Sequence, residues 1–299
     1  MQPLGKLVVL GVGLIGGSFA LALKRAGCVR SVIGVGRSQS NLDAAHRLSI
    51  ADRVLTLDQR WTDELRDADL VLLATPVGQM PALLAAMAPH IGATTLITDV
   101  GSTKQDVVAA ARGCLGAALP RFVPAHPVAG VERAGAAAAF DTLFRDRNVV
   151  LTPVAETASA ATESISACWA ACGGVVRIME PERHDAIMAA VSHLPHVLAF
   201  ALVAELAQRS NADDYFGLAG SGFRDFSRLA SSETEMWRDI CLANHVALRR
   251  ELSTYRAQLD RLDALIDAGD GAALAAVFSR ARDARTAWLA SNGLDTGED

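Results

Sequence analysis

Leu7-Val-Val-Leu10 runs directly into Gly11-Val-Gly13-Leu14-Ile15-Gly16, and this junction decides the fold. An apolar strand that meets a G-x-G-x-x-G turn and then a helical stretch has a steric task for each glycine. Gly11 makes the tight turn, Gly13 lets the backbone approach a pyrophosphate, and Gly16 lets the helix pack on the strand. The helix N-terminus then faces the phosphates, with Leu14 and Ile15 in its first turn. The segment 7–23 is uncharged and flanked by Lys6 and Lys24, as in a signal peptide. The glycines at turn-forming spacing make strand–turn–helix the better reading.

Outward from this junction, β-rich runs alternate with helical patterns. Strands are expected at 7–10, 32–35, 54–57, 70–74, 95–98, 122–124, 149–152 and 175–178, with helices at 15–26, 41–48, 80–87, 104–112 and 158–172. Such alternation implies βαβ units and a mostly parallel sheet. Near Glu180 the pattern changes: Pro181 suits a first helical turn, and Ala/Leu-rich helices follow to about residue 290. The expected fold class is therefore α/β, with a Rossmann-type dinucleotide domain over 1–180 and an all-helical domain over 181–299. Gly269-Asp-Gly271 is the clearest late break, and the tail 292–299 is expected to fray.

Composition narrows the function classes. The 299 residues are 51% hydrophobic and 20% charged, enough to bury a sizeable core, and the net charge of −5 argues against a general nucleic-acid binder. The five cysteines make no metal-ligand pattern and read as reduced thiols of a cytoplasmic protein. The stretch 186–204 lacks Lys, Arg, Asp and Glu. It holds Ser192, His193, Pro195 and His196 at its centre, where a bilayer penalises them most, so it reads as a buried helix carrying site residues.

The end of the second strand selects the dinucleotide. NAD enzymes usually place an acid there for the ribose 2′-hydroxyl. This chain has Gly34-Val-Gly-Arg37-Ser38. Arg37 and Ser38 suit a 2′-phosphate, which favours NADP, with NAD the alternative. Thr75, just after the fourth strand, is placed with the cofactor.

Chemistry-bearing residues gather at strand ends. Asp99-Val-Gly-Ser102-Thr-Lys104 follows a strand, so Ser102 and Lys104 either meet substrate and nicotinamide, or act as a helix cap and an exposed lysine. His126 ends the next strand, where a neutral imidazole is a suitable base for a hydroxyl losing its hydride. Ser192-His-Leu-Pro-His196 puts two imidazoles on an apolar helix, as ligand contacts or as satisfied core histidines. Gly222-Phe-Arg224-Asp225-Phe-Ser-Arg228 offers guanidinium forks for carboxylates, or a surface ion-paired helix.

Taken in order, Gly11–Ser18, Asp99–Lys104, His126–Gly130, Ser192–His196 and Gly222–Trp237 make the chain resemble the prephenate/arogenate dehydrogenase family of tyrosine biosynthesis. The resemblance spans residues 5–244. It implies a Rossmann domain, a helical dimerisation domain and a homodimer. It also implies oxidative decarboxylation of a cyclohexadienol with NAD(P) and no metal. It makes His126 the catalytic base, assisted by Ser102, and Arg228 the grip on a substrate carboxylate. His196, Asp225 and Glu132 match supporting site positions, with Arg224 the next candidate for the anion and Trp237 in a packing role. Two alternatives stand beside it. One is another two-domain dehydrogenase or imine reductase; the absence of a lysine after Glu180 disfavours the hydroxyacid branch of these. The other is a non-catalytic nucleotide-sensing dimer on the same scaffold.

Overall fold

The computed structural model describes residues 2–130 and 133–291. Six strands form one wholly parallel sheet: β1 (Leu4–Leu10), β2 (Val29–Gly36), β3 (Arg53–Thr56), β4 (Leu70–Leu73), β5 (Leu96–Asp99) and β6 (Phe122–Val123), in the order β3-β2-β1-β4-β5-β6. The order reverses between β1 and β4, which opens a crevice beyond the C-terminal ends of those two strands. Helices α1 (Leu14–Arg25), α2 (Gln39–Arg47), α3 (Met80–Met87), α4 (Gln105–Cys114) and α5 (Ser159–Ala171) belong to the same α/β region. The two sheet faces nucleate separate cores, and β1 shows why. Leu7 and Val9 enter one core with Phe19, Phe144 and Trp169, while Val8 and Leu10 enter the other with Trp61, Met80 and Leu84. A central strand covered on both faces is apolar throughout rather than alternating, as Leu7–Leu10 is.

The structure departs from the sequence expectation at the last strands. They do not extend the main sheet. β7 (Ala125–Pro127), β8 (Asn148–Leu151) and β9 (Val175–Ile178) make a second sheet, β7 antiparallel to β8 and β8 parallel to β9. The expected strand 122–124 breaks at Pro124, which has no N–H to continue a ladder. Its carbonyl accepts from Thr152 N at 2.9 Å, so the chain turns from β6 into the second sheet there. His126 consequently sits within β7, opposite Val150, rather than closing a strand of the main sheet.

After β9 the described chain is helical: α6 (Pro181–Met188), α7 (Leu194–Ala207), α8 (Ala212–Gly217), α9 (Ser221–Ser227), α10 (Thr234–Ala243), α11 (His245–Asp267) and α12 (Gly271–Ser291). Residues up to Leu248 pack as one compact unit, and residues from Arg249 form a second. Between α6 and α7, Ala189–His193 make a π-helical turn. Pro195 has no N–H to return to the Val191 carbonyl, so the regular ladder fails at this point.

The expectation that 186–204 is a buried helix holds only in part. Pro181–Ala207 is long and apolar enough to cross a membrane by length and composition, but only 28% of its most apolar window is buried, and Val191 is 66% exposed. A helix apolar on all sides exceeds what one chain of this architecture covers. The expected frayed tail, 292–299, lies outside the described residues.

Candidate active site

The Gly-rich turn has the geometry its spacing implies. Gly11 has φ +99°, and a Cβ there would meet the Ala74 carbonyl oxygen at 2.4 Å. At Gly16 a Cβ would lie 2.3 Å from the Gly11 carbonyl oxygen and 2.9 Å from Ala74 Cβ. At Gly13 it would meet nothing within 4 Å. The first and third glycines are thus demanded by packing, whereas the second faces open space in the crevice. Gly13 caps α1 without a side-chain partner, and the first turn has no acid, so the N–H groups of that turn are available to an anion. A cleft of about 240 Å³ opens here, bounded by Gly11, Gly13, Arg37, Ser38 and Thr75. The Thr75 hydroxyl is buried without a hydrogen-bond partner. The open cradle at Gly13 and this unsatisfied hydroxyl both fit a bound dinucleotide.

Arg37 and Ser38 line the cleft at the end of β2, as expected, and both are exposed. Ser38 has a structural duty as well. Its Oγ accepts from Asn41 N at 3.3 Å and caps α2. Asn41 has contacts of its own. Its Nδ2 donates to the Val12 carbonyl at 2.7 Å, and its Oδ1 accepts from Ala136 N at 2.8 Å, clamping the Gly-rich turn to a neighbouring loop. An Asn on a polar helix face carries no local sign of such a clamp.

The loop after β5 overturns one expectation. Lys104 neither faces the crevice nor lies exposed; it is wholly buried. Its Nζ pairs with Asp99 Oδ2 and donates to the Ala125 carbonyl at 2.7 Å. Asp99 also accepts from Ala125 N at 3.0 Å and Gly101 N at 2.8 Å, so the pair ties β5 to β7 beside His126. A buried ion pair persists only when hydrogen bonds satisfy its remaining lone pairs and protons, as these do. Neither Ser102 nor Thr103 caps α4. Ser102 is partly exposed on the loop between β5 and α4.

His126 is held by groups from α6 that the sequence reading did not single out. Its Nδ1 lies 2.8 Å from His184 Nε2, and His184 Nδ1 lies 2.8 Å from Asp185 Oδ1. Asp185 caps α4 from a distance of 80 residues in sequence: Oδ1 accepts from Lys104 N at 2.8 Å and Oδ2 from Gln105 N at 2.9 Å. Burial alone would raise the Asp185 carboxyl, but hydrogen bonds from His184 and these backbone groups hold it below its ordinary value. Burial, then the neighbouring His184, Lys104 and His193, push His126 well below the ordinary histidine value. It is therefore a neutral imidazole near pH 7, as a base requires.

Both histidines of the second motif stand beside Trp237. His196 stacks on the indole at 3.6 Å between centroids, and His193 meets it edge-on at 6.0 Å. His196 Nδ1 donates to the Ser192 carbonyl at 2.9 Å, which leaves Nε2 as an acceptor. Burial lowers its pKa; the Ser192 bond opposes this, and the charge of Arg228 adds to the lowering. His193 is lowered to about 4, chiefly by burial, and its Nε2 is buried without a partner. Arg224 and Asp225 are not drawn inward in the single chain. Both are exposed on α9 and pair with each other at 3.7 Å. Glu132 lies outside the described residues.

This arrangement of a Gly-rich cleft, a neutral buried histidine and a helical segment with further imidazoles and an arginine has known relatives. A family model described as the prephenate dehydrogenase nucleotide-binding domain matches residues 19–178, and one described as the prephenate dehydrogenase dimerization domain matches residues 180–280. A cyclohexadienyl dehydrogenase of Zymomonas mobilis is 37% identical over 284 residues, covering 94% of this chain and 95% of the relative. A prephenate dehydrogenase of Bacillus subtilis is 34% identical, covering 93% and 75%. Among solved structures, prephenate dehydrogenase from Aquifex aeolicus in complex with hydroxyphenyl propionate and NAD+ superposes with a TM-score of 0.89 at 33% identity, covering 96% of this chain and 98% of that one. Synechocystis arogenate dehydrogenase follows with a TM-score of 0.79 at 30% identity, covering 95% and 99%. The chain therefore belongs to the prephenate/arogenate dehydrogenase family, and is an NAD(P)-dependent oxidoreductase of tyrosine biosynthesis.

Proposed function

We propose that the protein oxidises and decarboxylates prephenate, and accepts arogenate as the alternative substrate, with NADP preferred over NAD. The observation that carries the chemistry is a neutral His126 whose Nδ1 is occupied by His184 and whose other ring nitrogen is left to act as base. Prephenate carries a ring hydroxyl, a ring carboxylate and a pyruvyl side chain; arogenate has an amine where prephenate has the keto group. His126 accepts the hydroxyl proton, and the O–H electron pair forms the carbonyl as the C–H pair departs as hydride. A dinucleotide held at the Gly-rich turn would supply the acceptor for that hydride. The bond to the ring carboxylate then breaks, its electrons enter the ring system and carbon dioxide leaves, with aromatisation making the step effectively irreversible. The protein has only to align the reactants, accept one proton and hold the anions.

Gly11, Gly13, Gly16, Leu14, Ile15 and Thr75 would hold the dinucleotide backbone. Ser102 would assist at the hydroxyl and nicotinamide, and Arg228 would grip a carboxylate. His196, with Glu132, is the candidate discriminator between keto and amino side chains. The NADP preference rests on Arg37, exposed on the cleft wall where no carboxylate follows β2. Ser38 is already engaged as a helix cap, so Arg37 would supply most of the grip on a 2′-phosphate. We also propose that the chain works as a homodimer, supported by the match to a dimerization domain and by exposed apolar side chains on α11 and α12. Five free thiols fit a cytoplasmic setting.

The test is absorbance at 340 nm, offering prephenate or arogenate with NADP or NAD. Reduction with prephenate and a higher kcat/KM for NADP is expected. A preference for NAD would return Arg37 to the role of a surface arginine. A flat trace in all four combinations, with dinucleotide binding retained, would favour a nucleotide-sensing dimer.

A further inference from the structure

Behind His126 stands a line of buried groups that ends on a helix: His184, Asp185 and the first N–H groups of α4. His184 is fully buried and Asp185 is 2% exposed. The hydrogen positions follow from the partners. Both Asp185 oxygens accept backbone N–H groups, and Gln105 Nε2 adds a third donor at 3.3 Å. A carboxylate held at a helix N-terminus in this way remains an acceptor. The contact at 2.8 Å between Asp185 Oδ1 and His184 Nδ1 is then an N–H donated by His184. In a neutral His184 the other nitrogen, Nε2, is an acceptor. His126 Nδ1, 2.8 Å from it, must therefore donate, and His126 Nε2 is left without a proton.

We infer that His184 and Asp185 are positioning residues for the base, fixing His126 in the tautomer that carries its proton on Nδ1 and keeps Nε2 bare for the substrate hydroxyl. This rests on the reading of His126 as the base. A ring free to choose would spend part of its time with Nε2 protonated and useless as an acceptor. When Nε2 takes the hydroxyl proton, the Nδ1–H bond to His184 becomes charge-assisted, and the Asp185 carboxylate stabilises the new cation through His184. No further proton needs to move. The competing arrangement is a doubly protonated His184 that donates Nε2–H to His126. It would force the proton onto His126 Nε2, and that difference is what the experiment reads.

The first experiment needs no variant of the chain of groups. Long-range proton–nitrogen spectra of the whole protein, labelled with ¹⁵N in its seven histidines, report which ring nitrogens are protonated, and His126→Asn assigns the His126 signals. A protonated Nδ1 and a bare Nε2 on His126 are expected. Asp185→Asn is the second step. Its side-chain oxygen can still accept from Lys104 N and His184 Nδ1, but the negative charge that stabilises the His126 cation through His184 is gone. The expected kcat loss is on the order of 100-fold, with KM for substrate and dinucleotide unchanged. Wild-type His126 protonated on Nε2, or an Asp185→Asn enzyme with full kcat, would overturn the inference while leaving the base in place. A His126→Asn enzyme that turns over normally would instead remove the base reading itself.

Discussion

His193 and Lys104 show what a single side chain becomes when its surroundings are settled. Both are charged or chargeable groups in places where water does not reach. Lys104 resolves the conflict by pairing with Asp99 and becomes a tie between β5 and β7. His193 resolves it by losing its proton: its pKa falls to about 4 in the folded chain from an ordinary 6.5. The unfolded chain therefore binds the extra proton first as pH drops. The stabilisation is fully present above pH 6.5 and is lost as pH falls toward 4. At about 1.4 kcal/mol per unit, the loss between pH 7 and pH 5 is about 2 kcal/mol from His193 alone, and His126 and His196 add in the same direction. Urea unfolding at the two pH values should show this decrease, and His193→Gln should reduce it. Equal stability at pH 7 and pH 5 would mean that these imidazoles are not buried in the neutral form.

At the scale of an element, the β1–α1 junction separates two kinds of glycine. A Cβ at Gly13 meets nothing within 4 Å, and its φ of −101° suits any residue. Gly13→Ala should fold normally yet bind NADP and NAD at least ~10-fold more weakly, because the methyl group occupies the approach of the pyrophosphate. Gly16→Ala puts a methyl 2.3 Å from a backbone oxygen. It should cost about 1–3 kcal/mol of stability, visible as a lowered Tm without ligand. If both variants lost stability alike, the crevice at Gly13 would be ordinary packing. The helix from α6 through α7 is the harder element to read. Its composition announced a core helix, yet much of it is uncovered in the single chain. Period and hydropathy report that a helix must be covered; they are silent about which molecule covers it.

At the scale of the molecule, the uncovered surface asks for a second copy. On α11, Val246, Leu259 and Ile266 are exposed; on α12, so are Phe278 and Trp288. A two-fold pair is the commonest way such faces are buried. Sedimentation at micromolar concentration should give twice the 31.4 kDa of the chain. A monomer under those conditions would reject the dimer and leave the apolar faces without an account.

The dinucleotide crevice was legible from residues 7–16 alone, because glycine spacing, an apolar strand and a following helix are local and leave little steric choice. The sequence by itself also determined the order of the motifs and the change to helices at Pro181, and it brought His126 and His196 forward by residue type. The partners of these side chains came from the folded chain. It sent Lys104 inward, set Asp185 on the end of α4, placed His184 behind His126 and broke the expected sheet at Pro124. The physical reason is range. Hydrogen bonds between residues 58 or 80 apart satisfy groups whose own neighbours in sequence cannot, and a polar residue names its partner only when the fold has removed the water that would otherwise serve.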